Sequence, residues 1–213
     1  MLRFVYFFSD SPNLMKTTQN FLYSSWSGSD IHYMWNDRKY LLFRHIADLY
    51  YSDQEFRLHT LPMLTMDHIV LMCYSKMKVK LARKVMRKFV EISRQTSGNV
   101  EVLVLQLAAK WRMMFLTEQT RGHKTKHIMK KNLFVKPYSL SDDERLSWLL
   151  NVFVKYLEDW KQNTLTLPGI FSREARGKIF LSQQTHEGLL ILAYSYVEVI
   201  HFLLGKRFKY VMS

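Results

Sequence analysis

Seven apolar residues, Leu146, Leu149, Leu150, Phe153, Val154, Leu157 and Trp160, recur at intervals of three and four, a spacing that lines one face of an α-helix and no face of a strand. A second run, Leu189 to Leu204, is apolar on most sides and reads as a core helix. With seven Gly and four Pro in 213 residues, and 48% hydrophobic side chains, the chain can bury a real core, which excludes disordered and linker-dominated classes. The mass is that of one ordinary domain or two small ones. A single cysteine, Cys73, excludes a disulfide framework and any zinc site built on several cysteines.

Charge is unevenly placed. Ser75 to Gln95 holds eight Lys/Arg and one acid, Glu91, and Arg121 to Lys136 holds six Lys/Arg and no acid. These segments carry +7 and +6, the whole formal charge of +13, so the rest of the chain is neutral. Basicity gathered in this way reads as a phosphate site, of nucleic acid or of a nucleotide, with a solvated helix face as the plain alternative. A membrane partner is not expected. Leu189 to Leu204 is about one turn short of the roughly 20 residues that span a bilayer and contains Glu198 and His201. Met1 to Phe8 is too short for a signal h-region.

Along the chain, Leu2 to Phe8 is expected as a buried strand, and Ser11-Pro12 as the cap and first turn of a helix to Tyr23. The Ser/Gly run from Ser24 to Asp30 breaks it. Helix is expected again over Lys39 to Tyr51 with Leu42, His45, Ile46 and Leu49 on one face, and from Thr65 to Ser93 with a break near Tyr74. In the latter, Met77, Leu81, Val85, Phe89 and Ile92 form an apolar stripe opposite the basic face. Gly98-Asn99 marks a turn before a central helix, Val100 to Gln119, and the second basic segment reads as loop or weak helix. Ser141 and Glu144 have capping-box spacing. Thr164 to Arg176 is expected as loop, Lys178 to Leu181 as a short extended piece, and Thr185 to Leu204 as the closing helix.

Phosphate loops, dinucleotide fingerprints and nucleophile elbows are absent. His123 and His127 are four apart, but their lysine neighbours oppose a metal cation. Asp10 is better placed: a carboxylate after a predicted strand and before a helix can reach a metal at a sheet edge, or simply favour the helix dipole.

The segment Asp10-Ser-Pro-Asn-Leu-Met-Lys-Thr-Thr-Gln-Asn20 resembles the D-x-P-H-L-x-K-x-x-R-N motif of P-element-type transposases, a family often joined to a THAP zinc-dependent DNA-binding domain. In the same order, Leu64-Thr-x-x-His68-Ile69 looks like its L-T-x-x-H-I, Lys76-Met-Lys-Val-Lys-Leu-Ala82 resembles its K-M-[RK]-V-[KR]-x-A, and Gln184-Thr185-x-x-Gly188-Leu189 is similar to its Q-T-x-x-G-L.

The resemblance implies a mainly α chain: a helical insertion domain, with one N-terminal strand and helix left from a ribonuclease-H-like α/β core. Residues 1–24 would be partial core, 25–181 the GTP-binding-type insertion, and 182–213 a closing helix leading back to the core. It implies GTP as a structural cofactor, Mg²⁺ held by three acids in a two-metal site, DNA or another polyanion as partner, nuclear localisation and a possible homo-oligomer.

Asp10 matches the second catalytic, metal-holding acid, with Asn13 and Gln19 standing where the family has His and Arg. The first acid would precede Met1 and the third would follow Ser213, so a truncated piece without cleavage activity is the expected reading. The alternative is a non-enzymatic basic nucleic-acid-binding module derived from a transposase. For the nucleotide, Lys76, Lys78 and Lys80 cannot all face one ligand on a helix, so Lys76 and Lys80, four apart and on one face, are the candidates for phosphate, with a solvated helix face as the plain alternative. The resemblance implies Phe115 stacked on the base and an amide from Gln119. Leu116 falls where the family's carboxylate would pair with guanine, leaving those donors unpaired at about 1–3 kcal/mol each.

Overall fold

The computed structural model describes residues 5–25, 32–36, 39–55, 65–78, 81–82, 137–169, 171–209 and 211. Helices make up most of these residues, and the strand ladder among them is a short hairpin. The predicted helix from Val100, the turn at Gly98, the stripe residues Val85, Phe89 and Ile92, and the second basic segment lie outside the described residues.

Helix α1 (Ser11–Tyr23) starts one residue earlier than the sequence suggests. Asp10, not Ser11, is the N-cap: its carbonyl accepts the Leu14 amide at 3.0 Å, while Ser11 is buried inside the first turn and Pro12 sits where no amide is needed. The helix stops where Ser24 and Ser25 turn their hydroxyls onto the carbonyls of Phe21 and Leu22, each at 2.7 Å. The strand expected over Leu2 to Phe8 is not formed over its described part. Residues 5–10 have no ladder partner among the described residues, and Val5, Phe7 and Phe8 are exposed. Tyr6 packs against the ring of Phe202. A strand is stable only when a neighbouring backbone takes up its amides and carbonyls.

β1 (Met34–Asn36) and β2 (Lys39–Leu41) pair antiparallel, with Trp35 opposite Tyr40. Lys39 to Leu41 is thus strand, where apolar spacing predicts helix. Alternation along the hairpin sends Met34 into the main core and Trp35 into a satellite cluster with Leu167 and Ile179. Helix α2 (Arg44–Gln54) buries Ile46, Ala47 and Tyr50 together with the preceding Phe43, a face one step from the predicted one. The side chains of His45 and Leu49 lie outside the described set.

Helix α3 (Met66–Ile69) begins after Thr65 as expected but lasts one turn; the chain then bends, and Ser75–Met77 is a 3₁₀ turn. Met77 is exposed rather than on the stripe, because Lys78 is extended and resets the helical phase.

α4 (Glu144–Trp148), a π-helical segment (Leu149–Val154) and α5 (Lys155–Asn163) form one continuous rod. Leu146, Leu149, Phe153, Val154, Leu157 and Trp160 are all buried on it, as their spacing predicts. Its cap is Asp143 rather than Ser141. The Asp143 carboxylate accepts the Arg145 amide and also pairs with the Arg145 guanidinium at 2.8 and 2.7 Å, a bidentate arrangement that a serine hydroxyl cannot match. That guanidinium holds the Asp143 carboxyl below its ordinary range.

The expected loop contains a 3₁₀ turn (Thr164–Thr166) and the short helix α6 (Arg173–Gly177), capped by Ser172. Lys178 and Ile179 run beside β1, their carbonyls accepting the amides of Tyr33 and Trp35. Helix α7 (Gln183–Gly205) is 23 residues, longer at both ends than its apolar run, and by length and composition alone long and apolar enough to cross a membrane. In the fold, Leu189, Ala193, Val197 and Ile200 form a buried stripe in the main core, and the helix packs against α1.

His186, in the first turn of α7, is buried beside Phe180 with neither ring nitrogen hydrogen-bonded among the described residues. Burial first, then Lys161, pushes its pKa below 6.5, and burial does the same for His32. Folding therefore favours the neutral form of both rings. Stability is expected to be full above about pH 6.5. It should fall as the pH drops toward the folded-state values, since the unfolded chain takes up protons first. A melting-temperature series checks this; His186→Phe should shrink the acid-side loss, and an unchanged slope would contradict it.

Candidate functional site at helix α1

Helix α1, which carries the first motif, is met by the glycine-containing motif of α7 and by the Lys76 segment. At its N-terminal end, Gly188 of α7 lies so close that an added Cβ would stand 2.9 Å from Leu14 Cδ2 and 3.3 Å from Ser9 Oγ. Thr185, buried one turn earlier, gives its amide to the Ser182 hydroxyl at 3.2 Å and fixes the start of α7. The Gln184–Leu189 motif thus packs against Ser9 and Leu14, on either side of Asp10 in the sequence. Asp10 itself is exposed, and its side chain makes no cap bond.

At the other end, Tyr23 organises a lysine. Its hydroxyl accepts the Leu71 amide at 3.2 Å, and the Lys76 ammonium lies 5.2 Å from its ring centroid. Asn20 Nδ2 donates to the Lys76 carbonyl across a long 3.5 Å. Lys78 covers Tyr74 at 4.5 Å. The preceding Thr65–Ile69 motif is a capping device. Its His68 Nδ1 accepts the Thr65 amide at 3.1 Å, the role Glu has in the common capping box, and Ile69 is fully buried.

The two ends are separate places. Thirteen helical residues put about 20 Å along the axis between Asp10 and the Tyr23–Lys76 pair. Among the described residues, no group of three His, Cys, Asp or Glu is positioned to hold a metal. A single exposed carboxylate does not fit a two-ion site, which needs several such ligands.

Of the residues expected to contact a nucleotide, Lys76 is the one described; Lys80, Phe115 and Gln119 lie outside the described residues, as do Leu116, His123 and His127. The helical argument that sets Lys76 and Lys80 on one face does not carry over, since Lys76 is in a 3₁₀ turn and Lys78 is extended. Tyr23 is the contributor that sequence reasoning misses: nothing local marks it, and its role comes from contacts with Leu71 and Lys76, far along the chain.

Gln19, where the resemblance expects arginine, is fully buried with neither amide atom hydrogen-bonded among the described residues. Gln19→Leu keeps the volume and removes the unpaired amide, so it is expected to stabilise the fold by about 1–3 kcal/mol. Chemical denaturation reads this directly, and a lower midpoint would show that the amide has a partner.

No protein-family model matches the chain, and no curated protein matches it by sequence. Among solved structures, the Drosophila P element transposase strand transfer complex is similar, with a TM-score of 0.63 over 96% of this chain at 15% sequence identity. The match spans 42% of that transposase chain. The fold of this protein is therefore similar to that of part of a P element transposase: a mainly helical, transposase-like fold in which α1 and α7 pack together and the Lys76 segment docks on α1.

Proposed function

We propose that this is a transposase-derived protein that binds nucleic-acid or nucleotide phosphates through its two basic segments and does not by itself cleave DNA. The observation that carries the reading is the joining of a P element transposase fold with a charge of +13 confined to two segments. Lys76 opens the first of them and is held over Tyr23. On this reading residues 1–24 and 182–213 flank an inserted helical domain, 25–181. The close contact of Gly188 with Ser9 and Leu14 supports the two flanks belonging together. GTP is the proposed nucleotide and the nucleus the proposed compartment, both by resemblance alone.

The non-cleaving reading is supported by the lack, among the described residues, of any group of three His, Cys, Asp or Glu that could hold a metal, since a two-ion site needs several such ligands. The variant Lys76→Gln is expected to weaken duplex binding and to reduce the salt dependence by about one unit of logarithmic slope. Equilibrium titration at several ionic strengths measures both. Unchanged affinity and slope would remove Lys76 from the phosphate contacts. Mg²⁺-dependent strand cleavage by the purified chain, abolished in Asp10→Asn, would overturn the non-cleaving reading.

A further inference from the structure

The hairpin has a second face. Strand alternation puts Tyr33, Trp35 and Tyr40 on the side away from Met34, and Tyr40 stands edge-on to Trp35 at 4.9 Å and to Tyr33 at 6.3 Å. Opposite them, the segment after Leu167 folds back through α6. Between the two lies an open cleft of about 380 Å³, walled by Tyr33, Tyr40 and Phe171, with Glu174 and Lys178 at its polar side. Both tyrosines are exposed.

The Phe171 ring is fixed from two sides. Gly169 has φ +124°, and a Cβ there would stand 2.9 Å from the ring, so this position needs glycine both for its backbone and for the room. Arg176 lies over the ring at 5.7 Å, its guanidinium tied to the carbonyls of Thr164 and Leu165 at 3.3 and 3.4 Å. The indole N–H of Trp35, in the cluster packed with Phe171, is buried with no hydrogen-bond partner among the described residues.

We infer that this cleft is a stacking site for one nucleobase bearing a phosphate, made by Tyr33, Tyr40 and Phe171, with Lys178 toward the phosphate. The volume is at the lower end for small-molecule sites and admits a single nucleoside but not a duplex. Aromatic walls take any base by its π-face. Charge selects the class of guest. The two charged residues that line the cleft, Glu174 and Lys178, balance each other. Arg173 and Arg176, on the same segment but outside the lining, bring residues 173–178 to +2, which opposes an organic cation and favours an aromatic anion. Glu174, paired with Lys178 at 3.3 Å, provides an acceptor for an exocyclic amine of the base. None of these residues belongs to the nucleotide contacts expected from the sequence, so the inference stands apart from the role of Lys76.

Because the base could come from a single strand or from a free nucleotide, the test has two arms: a labelled oligo-deoxyadenylate and free AMP, each titrated against the full chain. Tyr40→Ala and Phe171→Ala are expected to weaken oligonucleotide binding by about fivefold to a hundredfold, the span for loss of one base–aromatic stack. Tyr40→Phe should retain it, and Lys178→Gln should weaken it without disturbing the fold, since that side chain is 44% exposed. A loss confined to the oligonucleotide assigns the cleft to a single strand; a parallel loss with AMP assigns it to a free nucleotide. Duplex binding should remain as in the parent chain. If Tyr40→Ala, Phe171→Ala and Lys178→Gln all melt like the parent and bind both probes like it, the inference is overturned.

Discussion

Replacing Trp160 by alanine is expected to destabilise the protein by about 3–5 kcal/mol, the cost of emptying a fully buried aromatic site. Trp160 is the largest completely buried side chain described, tilted against Tyr156 and edge-on to Phe180 at 4.9 Å. Its indole N–H also donates to the Trp35 carbonyl at 2.7 Å. That bond crosses 125 residues and ties the β-hairpin to α5, so its loss would loosen the hairpin as well as the core. Trp160→Phe separates the two contributions. It keeps most of the ring but leaves the Trp35 carbonyl without this donor, at a cost of about 1–3 kcal/mol. Denaturant midpoints for the three proteins measure this. Equal stability of the phenylalanine variant and the parent would mean that the hydrogen bond adds nothing.

What could be read from the sequence follows from how local each signal is. The rod from Glu144 to Asn163 and helix α7 are legible because their burial is set by residues three and four apart, and every predicted stripe residue from Leu146 to Trp160 except the half-buried Leu150 is buried. Lys39 to Leu41 is misread because pairing with Met34 to Asn36 overrides a pattern that also fits a helix. Met77 leaves its stripe because a 3₁₀ turn and an extended Lys78 break the phase. Asp143 displaces Ser141 as a cap because Arg145 rewards a carboxylate there.

The site is legible in part. The four motif segments are visible in the sequence, and the contacts that each makes explain them physically. Gly188 permits close helix approach, His68 caps α3, and Asn20 and Tyr23 hold the Lys76 segment. Neither the part of Tyr23 nor the aromatic cleft has a local signature. Both arise from residues that meet only in the folded chain.

The second large effect is expected in binding. If the +7 and +6 segments neutralise phosphates, each contact releases counterions, and affinity must fall steeply with salt. With about six to ten phosphate contacts, the dissociation constant should rise about 10³- to 10⁵-fold between roughly 50 and 200 mM salt. The effect should not depend on duplex sequence, because charge reads phosphates and not base edges. The logarithm of the binding constant for a short duplex, measured against the logarithm of salt concentration, is therefore the most direct test of the proposed phosphate binding. A straight line with a slope steeper than about −5 is the predicted result, and a slope near zero, or no binding at low salt, would contradict it.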